Sequence, residues 1–175
     1  RVKFQQQAFE EAVLKAADQT DWPFIFIASP NFHRGVVGIV ASKLCETFGK
    51  PSFVGSVDVS SQLVVGSARR PDESKVHLVE MLHSATEFFE RAGGHAAAAG
   101  YEFKAENLEN IINSFRNHFL LQGFASDPMP LFYDIEMDLK DLNREFLRNL
   151  DQLEPFGAGF EAPTFCFRNL QVESC

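Results

Sequence analysis

The chain has 175 residues, and its 45% hydrophobic and 23% charged residues are typical of a folded globular protein. A formal net charge of −8 argues against non-specific polyanion binding, so a phosphate-binding surface would have to concentrate its cations locally. Three cysteines without CxxC spacing support neither a disulfide framework nor a zinc site. This cysteine usage favours a reducing, cytoplasmic setting. No signal peptide opens the chain and no apolar run approaches the ~18 residues of a membrane span, so we expect no membrane contact.

Helical and strand-like patterns alternate over residues 1–122. Apolar side chains recur at helical spacing in the predicted helices, whereas the predicted strands are short apolar runs. The predicted helices cover residues 3–19, 35–48, 75–90 and 105–120, and the predicted strands cover residues 24–28, 52–57, 63–68 and 97–103. Strands interleaved with helices in this way predict an α/β (α+β) domain around one sheet.

The composition changes at residues 123–130, where glycine, serine, aspartate and two prolines predict a linker. Beyond the linker we predict, in chain order, a strand at 131–137, a helix at 139–150, a Pro-Phe-Gly turn at 155–157 and a strand near 164–172. This stretch is short for an independent core, so residues 131–175 are expected to be an incomplete second domain.

The most informative motif is a glycine pair followed by a histidine, Gly93-Gly94-His95, with an alanine run at residues 96–99. Two adjacent glycines permit positive φ and leave backbone N–H groups unobstructed, so a phosphate can approach closely. The His95 imidazole adds a donor that is stronger when it is protonated. On composition alone, a helix C-cap followed by a surface histidine explains the motif equally well.

A second motif, Ser67-Ala68-Arg69-Arg70, stands at the end of a predicted strand. A hydroxyl and guanidinium groups with a small residue between them suit bidentate phosphate contacts. This is the only adjacent arginine pair in an acidic chain. Standing alone, the motif would be better explained as a solvated edge turn.

A third motif, His33-Arg34-Gly35, leads into a predicted helix. The start of that helix would direct free N–H groups toward a bound anion, with His33 and Arg34 beside it. A strand, a glycine loop and a helix are a common combination, so this motif is weak in isolation. The absence of GxxxxGK[ST] argues against a P-loop.

Complete catalytic machinery is missing from the sequence. The five histidines form no HExxH pattern and no metal-ligand grouping, no Asp/His cluster suits two metal ions, and no serine stands in GxSxG. We therefore predict no complete catalytic set and no metal ligands in this chain, with His95 assisting in phosphate positioning.

Taken together, these motifs resemble the C-terminal DHHA1 domain of the DHH phosphoesterase superfamily in type, order and separation. The resemblance is carried by residues 33–44, 65–70 and 93–100. Residues 153–165 are also similar to the Pro-Phe-Gly stretch that starts an oligonucleotide-binding (OB) barrel in the superfamily's bacterial single-strand-specific 5′→3′ DNA exonucleases. The resemblance implies a central mixed sheet flanked by helices over residues 1–122, followed by a partial OB-like β segment over residues 131–175.

The resemblance further implies a two-part active site. An N-terminal DHH domain outside this chain would bind manganese or magnesium, with no metal on this chain, and the DHHA1 domain would close over the cleft. Single-stranded DNA and the DHH domain are the implied partners, and a single-strand-binding protein is a further candidate. The residues implied to hold substrate phosphates or to lie near the cleft are Ser67, Arg69, Arg70, Gly93, Gly94, His95, His33 and Arg34.

Two positions depart from the family pattern. The family often has a small polar residue where this chain has Arg70, so the role of Arg70 is less secure than that of Arg69. The Gly-Asn-Pro that usually follows Pro-Phe-Gly is replaced here by residues 159–163, Gly-Phe-Glu-Ala-Pro. Loss of the asparagine weakens any contact assigned to that turn.

Two other functions remain open at this point. One is an oligonucleotide or cyclic-dinucleotide phosphodiesterase of the same superfamily, against which the Pro-Phe-Gly segment argues. The other is a non-catalytic nucleic-acid-binding scaffold, against which the presence of Ser67, Arg69 and His95 argues.

Overall fold

The chain divides into two compact units, residues 1–127 and 128–175, and the computed structural model describes residues 2–123, 133–157, 160–168 and 170. Most of the predicted linker at 123–130 lies outside the described residues, so its exact limits stay a prediction. The helices of the first unit are α1 Val2–Ala16, α2 Val37–Phe48, α3 Leu78–His83 and α4 Leu108–Gln122. Its strands are β1 Ile25–Ser29, β2 Ser52–Asp58, β3 Leu63–Arg69, β4 Arg91–Gly94 and β5 Ala98–Lys104.

The five strands form one mixed sheet in the order β1-β2-β3-β5-β4. β1 and β2 run parallel, because α2 carries the chain back between them, and the remaining neighbours are antiparallel. The predicted α/β fold, with a central mixed sheet flanked by helices, is therefore confirmed.

Each face of the sheet has its own core, because side chains alternate between the two faces along every strand. On one face, phenyl rings from the strands pack against α3 and α4, with the ring centroids of Phe53 and Phe115 4.8 Å apart. On the other face, Ile25, Ile27 and Val54 pack against α1 and α2. The α1–α2 layer reaches β3 and leaves the outer strands β5 and β4 with exposed residues on that side.

The region between β3 and β5 differs from the sequence prediction. The helix predicted over residues 75–90 is only α3 and a short 3-10 turn, Thr86–Phe88. The strand β4 was not predicted, because two glycines and an exposed arginine carry no strand signal. Its pairing with β5 turns these residues into the edge of the sheet.

The described part of the second unit contains a parallel strand pair and one α-helix. The pair is formed by β6 Ile135–Glu136 and β7 Phe165–Cys166. The helix predicted over 139–150 is divided into a 3-10 turn at Leu139–Asp141 and α5 Arg144–Asp151. The division occurs because the Asn143 side chain accepts two backbone N–H groups and starts a new helix.

Parts of the strands predicted at 131–137 and 164–172 fall on residues 131–132, 169 and 171–172, which lie outside the described residues. Within the described part, each of these strands is limited to two residues. Gly157, the last residue of the Pro-Phe-Gly segment, forms a pair of backbone hydrogen bonds with Phe160, at 2.8 and 2.9 Å.

Candidate phosphate-binding site

Ser67 and Arg69 lie on the face of β3 that looks toward α2. Their immediate neighbours Gly66 and Ala68 are buried on the other face, whereas Ser67 and Arg69 are half-buried. This alternation follows from the two-residue period of a strand. The hydroxyl of Ser67 and the guanidinium of Arg69 are therefore presented together on one surface.

Both polar groups meet the first turn of α2. The position that a β-carbon on Gly38 would occupy is 3.4 Å from Arg69 Nη2 and 3.6 Å from Ser67 Oγ. Val36 is the N-cap residue of α2, and its side chain accepts no hydrogen bond from the backbone N–H groups of the first turn. A helix N-terminus favours anions because its N–H groups are unpaired and carry partial positive charge.

Bare glycine backbone lies beside this corner. Ser67 pairs with Gly100 of β5, and Gly100 pairs in turn with Gly93 of β4. Both glycines are exposed, and a β-carbon on Gly93 would meet nothing within 4 Å. We call the exposed backbone of Gly93 and Gly100 the glycine floor. It leaves room for a ligand to lie directly on the sheet.

The predicted Gly93-Gly94-His95 turn is placed differently by the structure. Gly93 and Gly94 belong to β4, and the turn itself is residues 95–97, closed by the His95 N–H donating to Ala98 O at 2.8 Å. The alternative of a helix C-cap is therefore wrong. Gly94 has a φ of +146°, and a β-carbon there would stand 2.5 Å from Ala98 O, so the hairpin requires glycine. The His95 side chain is exposed at the end of this hairpin.

Arg70 is held away from the corner occupied by Arg69. Its Nε donates to Ala96 O at 3.2 Å, and its Nη1 donates to the carbonyls of Pro71 at 2.9 Å and Asp72 at 3.0 Å. The carbonyl of Ser74 accepts a further short hydrogen bond from Nη1. We call this arrangement the Arg70 clamp, because it ties the loop after β3 to the turn that carries His95.

His33 and Arg34 are exposed in the loop before α2. The Nδ1 atom of His33 accepts the Gly35 N–H at 2.9 Å, so its free donor is Nε2. The structure gives neither side chain a hydrogen bond or ion pair to Ser67, Arg69 or His95 within residues 2–123. Their expected position near the interdomain cleft stays a prediction.

The loop that carries His33 is fixed from two sides. Glu11 accepts hydrogen bonds from Ser29 Oγ at 2.5 Å and Asn31 Nδ2 at 3.0 Å, and Ser56 Oγ donates to Phe32 O at 2.6 Å. Burial raises the pKa of the Glu11 carboxyl, but its hydrogen bonds and the nearby Lys15 outweigh burial and lower the pKa below its usual value.

Three contributors to the site were not among the predicted site residues. Gly38 and Gly100 lie within the sequence motifs, but their place in the site depends on which strand or helix lies opposite. The third contributor is Cys45 in α2, which is buried and whose thiol donates a hydrogen bond to Arg69 O at 3.0 Å. No role was predicted for Cys45, because the three cysteines show neither disulfide nor zinc-ligand spacing.

No group of three or more His, Cys, Asp or Glu side chains that could hold a metal ion occurs within the described ranges. Among those same residues, no helix is both long and apolar enough to cross a membrane.

The sequence matches two known domain models. The DHHA1 domain model matches residues 22–119, which is more than half of the chain. The chain belongs to the DHHA1 domain family. The model of the RecJ OB domain matches residues 133–175, in the second unit. The resemblance drawn from the three motifs and the Pro-Phe-Gly segment is therefore confirmed.

Curated relatives agree with this assignment. The single-stranded-DNA-specific exonuclease RecJ of Bacillus subtilis is 30% identical over 175 residues, which covers 98% of this chain and 21% of that protein. RecJ of Thermus thermophilus is 30% identical over 172 residues, covering 94% of this chain and 24% of that protein. The chain thus spans about a fifth to a quarter of the length of these relatives.

Solved structures agree with the fold. The crystal structure of T. thermophilus RecJ in complex with Mg²⁺ matches with a TM-score of 0.64 and 26% identity, over 92% of this chain and 25% of that one. The same protein in complex with Mn²⁺ matches with a TM-score of 0.61 and 27% identity, over 93% and 24%. The metals expected for the full-length protein are thus the ones found with this relative.

Proposed function

We propose that this chain forms the substrate-holding part of a metal-dependent exonuclease that digests single-stranded DNA from the 5′ end. Its DHHA1 domain would hold substrate phosphates, and a DHH domain outside residues 1–175 would hold manganese or magnesium and hydrolyse the phosphodiester. The full-length protein would act in the cytoplasm in DNA repair and recombination, with a single-strand-binding protein as a further partner. This chain alone would not cut DNA.

One observation carries the proposal: Ser67 Oγ and Arg69 Nη2 converge on the first turn of α2, next to the glycine floor. A phosphate at this corner would receive a hydroxyl, a guanidinium and helix N–H groups together. Such charge-assisted contacts are worth about 1–3 kcal/mol each in favourable geometry.

The residues of the proposed site have separate roles. Arg69 neutralises a phosphate oxygen, Ser67 donates its hydroxyl, and Gly93 lets the phosphate lie close to the sheet. His95 approaches from the exposed end of the hairpin and donates most strongly when its ring is protonated. Arg70 acts through the clamp, by fixing the position of the turn that carries His95.

Digestion of a 5′-phosphorylated single strand by the full-length protein in manganese tests the proposal. We expect wild type to release nucleotides from the 5′ end and Arg69→Ala to lose about tenfold or more in kcat/KM. Lys75→Ala removes an exposed cation outside the proposed site and serves as the matched control. Equal rates for Arg69→Ala and Lys75→Ala would refute the phosphate-holding role. Preferred digestion of double strands or cyclic dinucleotides would refute the substrate assignment.

A further inference from the structure

Arg91 lies on the same face of the sheet as the proposed phosphate site. It stands two residues before Gly93 on β4, and side chains two apart on a strand share a face. Gly93 pairs with Gly100, and Gly100 pairs with Ser67, so the three residues form one row across β4, β5 and β3. The Arg91 side chain is exposed. The open face thus presents a second cation beyond the glycine floor.

The space between the two cations is bare backbone. A β-carbon on Gly100 would meet only Gly66 O, at 3.8 Å, and one on Gly93 would meet nothing. Arg69 pairs with Ala98 and Arg91 pairs with Glu102, so two strand spacings and a four-residue step separate the Cα atoms of Arg69 and Arg91 by about 16 Å. Side chains that stand roughly perpendicular to the sheet at that separation contact different phosphates, and a nucleotide chain can lie flat between them.

Arg91 is also unengaged, unlike Arg70 and Arg116 of the same unit. Arg70 is committed to its clamp, and the Arg116 guanidinium lies 3.9 Å from the ring centroid of Trp22. Arg91 has no hydrogen bond or ion pair with any residue that the structure describes. Its cross-strand partner is Glu102, which forms no ion pair with it in the described part of the chain.

We propose that Arg91 is a second phosphate-binding residue, which contacts an internal phosphodiester of a strand whose terminal phosphate lies at Ser67 and Arg69. This inference rests on the proposed function and specifies its substrate class. A polynucleotide reaches both cations, whereas a mononucleotide reaches only the first. Glu102 opposes this contact, because its carboxylate repels a phosphate that approaches Arg91.

Binding by the full-length protein in EDTA, which prevents cleavage, tests the inference. The probes are a 5′-phosphorylated oligothymidylate of about twelve nucleotides, followed by fluorescence anisotropy, and thymidine 5′-monophosphate as a competitor. We expect Arg91→Ala to weaken oligonucleotide binding about tenfold and to reduce the salt slope by about one, with competition by the mononucleotide unchanged. Arg69→Ala should weaken binding of both probes.

Two neighbours on the same face supply matched variants. Lys104 is exposed, two residues beyond Glu102 on β5, so Lys104→Ala removes the same charge at a position farther from the floor. It should change affinity less than about twofold. Glu102→Gln should strengthen oligonucleotide binding, which a purely structural role for Arg91 does not predict. This variant also keeps the test decisive if Arg91→Ala fails to fold.

The outcomes separate the two proposals. If Arg69→Ala weakens binding and Arg91→Ala does not, the Arg91 assignment is overturned and the proposed function stands. Equal losses of oligonucleotide affinity in Arg91→Ala and Lys104→Ala would mean that binding depends on the overall charge of this face, and they would also overturn the Arg91 assignment. Unchanged affinity in Glu102→Gln would overturn it as well. If wild type binds no single strand, or Arg69→Ala leaves both probes unaffected, the proposed function itself fails.

Discussion

The Cys45 thiol donates a hydrogen bond to the backbone carbonyl of Arg69 over 3.0 Å, and this contact joins α2 to the end of β3. Cys45 is only 5% exposed, and burial raises the pKa of its thiol to about 11. The thiol therefore stays protonated at neutral pH and remains available as a donor. The backbone beneath the proposed phosphate site is held by a group that neither ionises nor meets solvent readily.

We expect Cys45 to resist alkylation in the folded chain. Iodoacetamide at mildly alkaline pH should modify Cys45 at least about tenfold more slowly than the half-buried Cys166, because the thiolate is the reactive form. Peptide mass spectrometry over time measures both rates. In concentrated guanidinium chloride the two rates should converge, and equal rates in the folded chain would contradict the contact.

Adjacent glycines of β4 should respond differently to alanine. Gly94→Ala places a β-carbon 2.5 Å from Ala98 O at a φ of +146°, so we expect a loss of about 2–3 kcal/mol in the free energy of unfolding. Gly93→Ala meets nothing within 4 Å and should change stability by less than about 0.5 kcal/mol. Urea titration followed by the fluorescence of Trp22, the only tryptophan, reports on the first unit.

The same pair tests the glycine floor. Gly93→Ala should weaken phosphate binding while leaving stability intact, because its methyl group occupies the space above the sheet. If both variants unfold at the same urea concentration, the hairpin geometry described for Gly94 is wrong.

The two adjacent arginines should separate stability from binding. Arg70→Ala removes the donors to Ala96, Pro71 and Asp72, and we expect a loss of about 2 kcal/mol in the free energy of unfolding. Arg69→Ala should cost less than about 0.5 kcal/mol, since within the described residues its side chain donates one hydrogen bond, to the neighbouring Ala68 O. Arg70→Lys should not restore stability, because an ammonium group lacks the planar fork. A stable Arg70→Ala variant with weakened phosphate binding would instead support direct contact.

Stability should depend on pH through Glu11. The pKa of its carboxyl lies below the ordinary value of 4.5, because hydrogen bonds from Ser29 and Asn31 and the pairing with Lys15 at 3.0 Å outweigh the effect of burial. Because the pKa of the Glu11 carboxyl is lower in the folded chain than in the unfolded chain, its ionised form stabilises the fold. This stabilisation is complete above the pKa of the unfolded state and is lost as the pH falls through the pKa of the folded state. The difference in unfolding free energy between wild type and Glu11→Gln should therefore shrink below about pH 4.5. A constant difference down to about pH 3 would contradict the assignment.

Periodicity along the chain predicted most of the first unit. Helices α1, α2 and α4 and strands β1, β2, β3 and β5 lie within a few residues of their predicted limits, because each buries a continuous apolar stripe or run. The region 75–94 was predicted less well. There α3 is short, and β4 is a strand only because β5 pairs with it. Cross-strand pairing is a long-range contact that no local pattern records.

The sequence by itself determined which residue types could hold a phosphate and in what order they occur, since motif spacing is a local property. Only the tertiary structure decided which of them meet. Arg69 and Arg70 are adjacent in the chain, yet one faces α2 and the other is enclosed by backbone carbonyls. Likewise, Gly93 and Gly94 are the last two residues of the edge strand β4 and do not form a turn. The physical reason is that strand pairing and helix packing set the direction of each side chain, and both depend on residues distant in sequence.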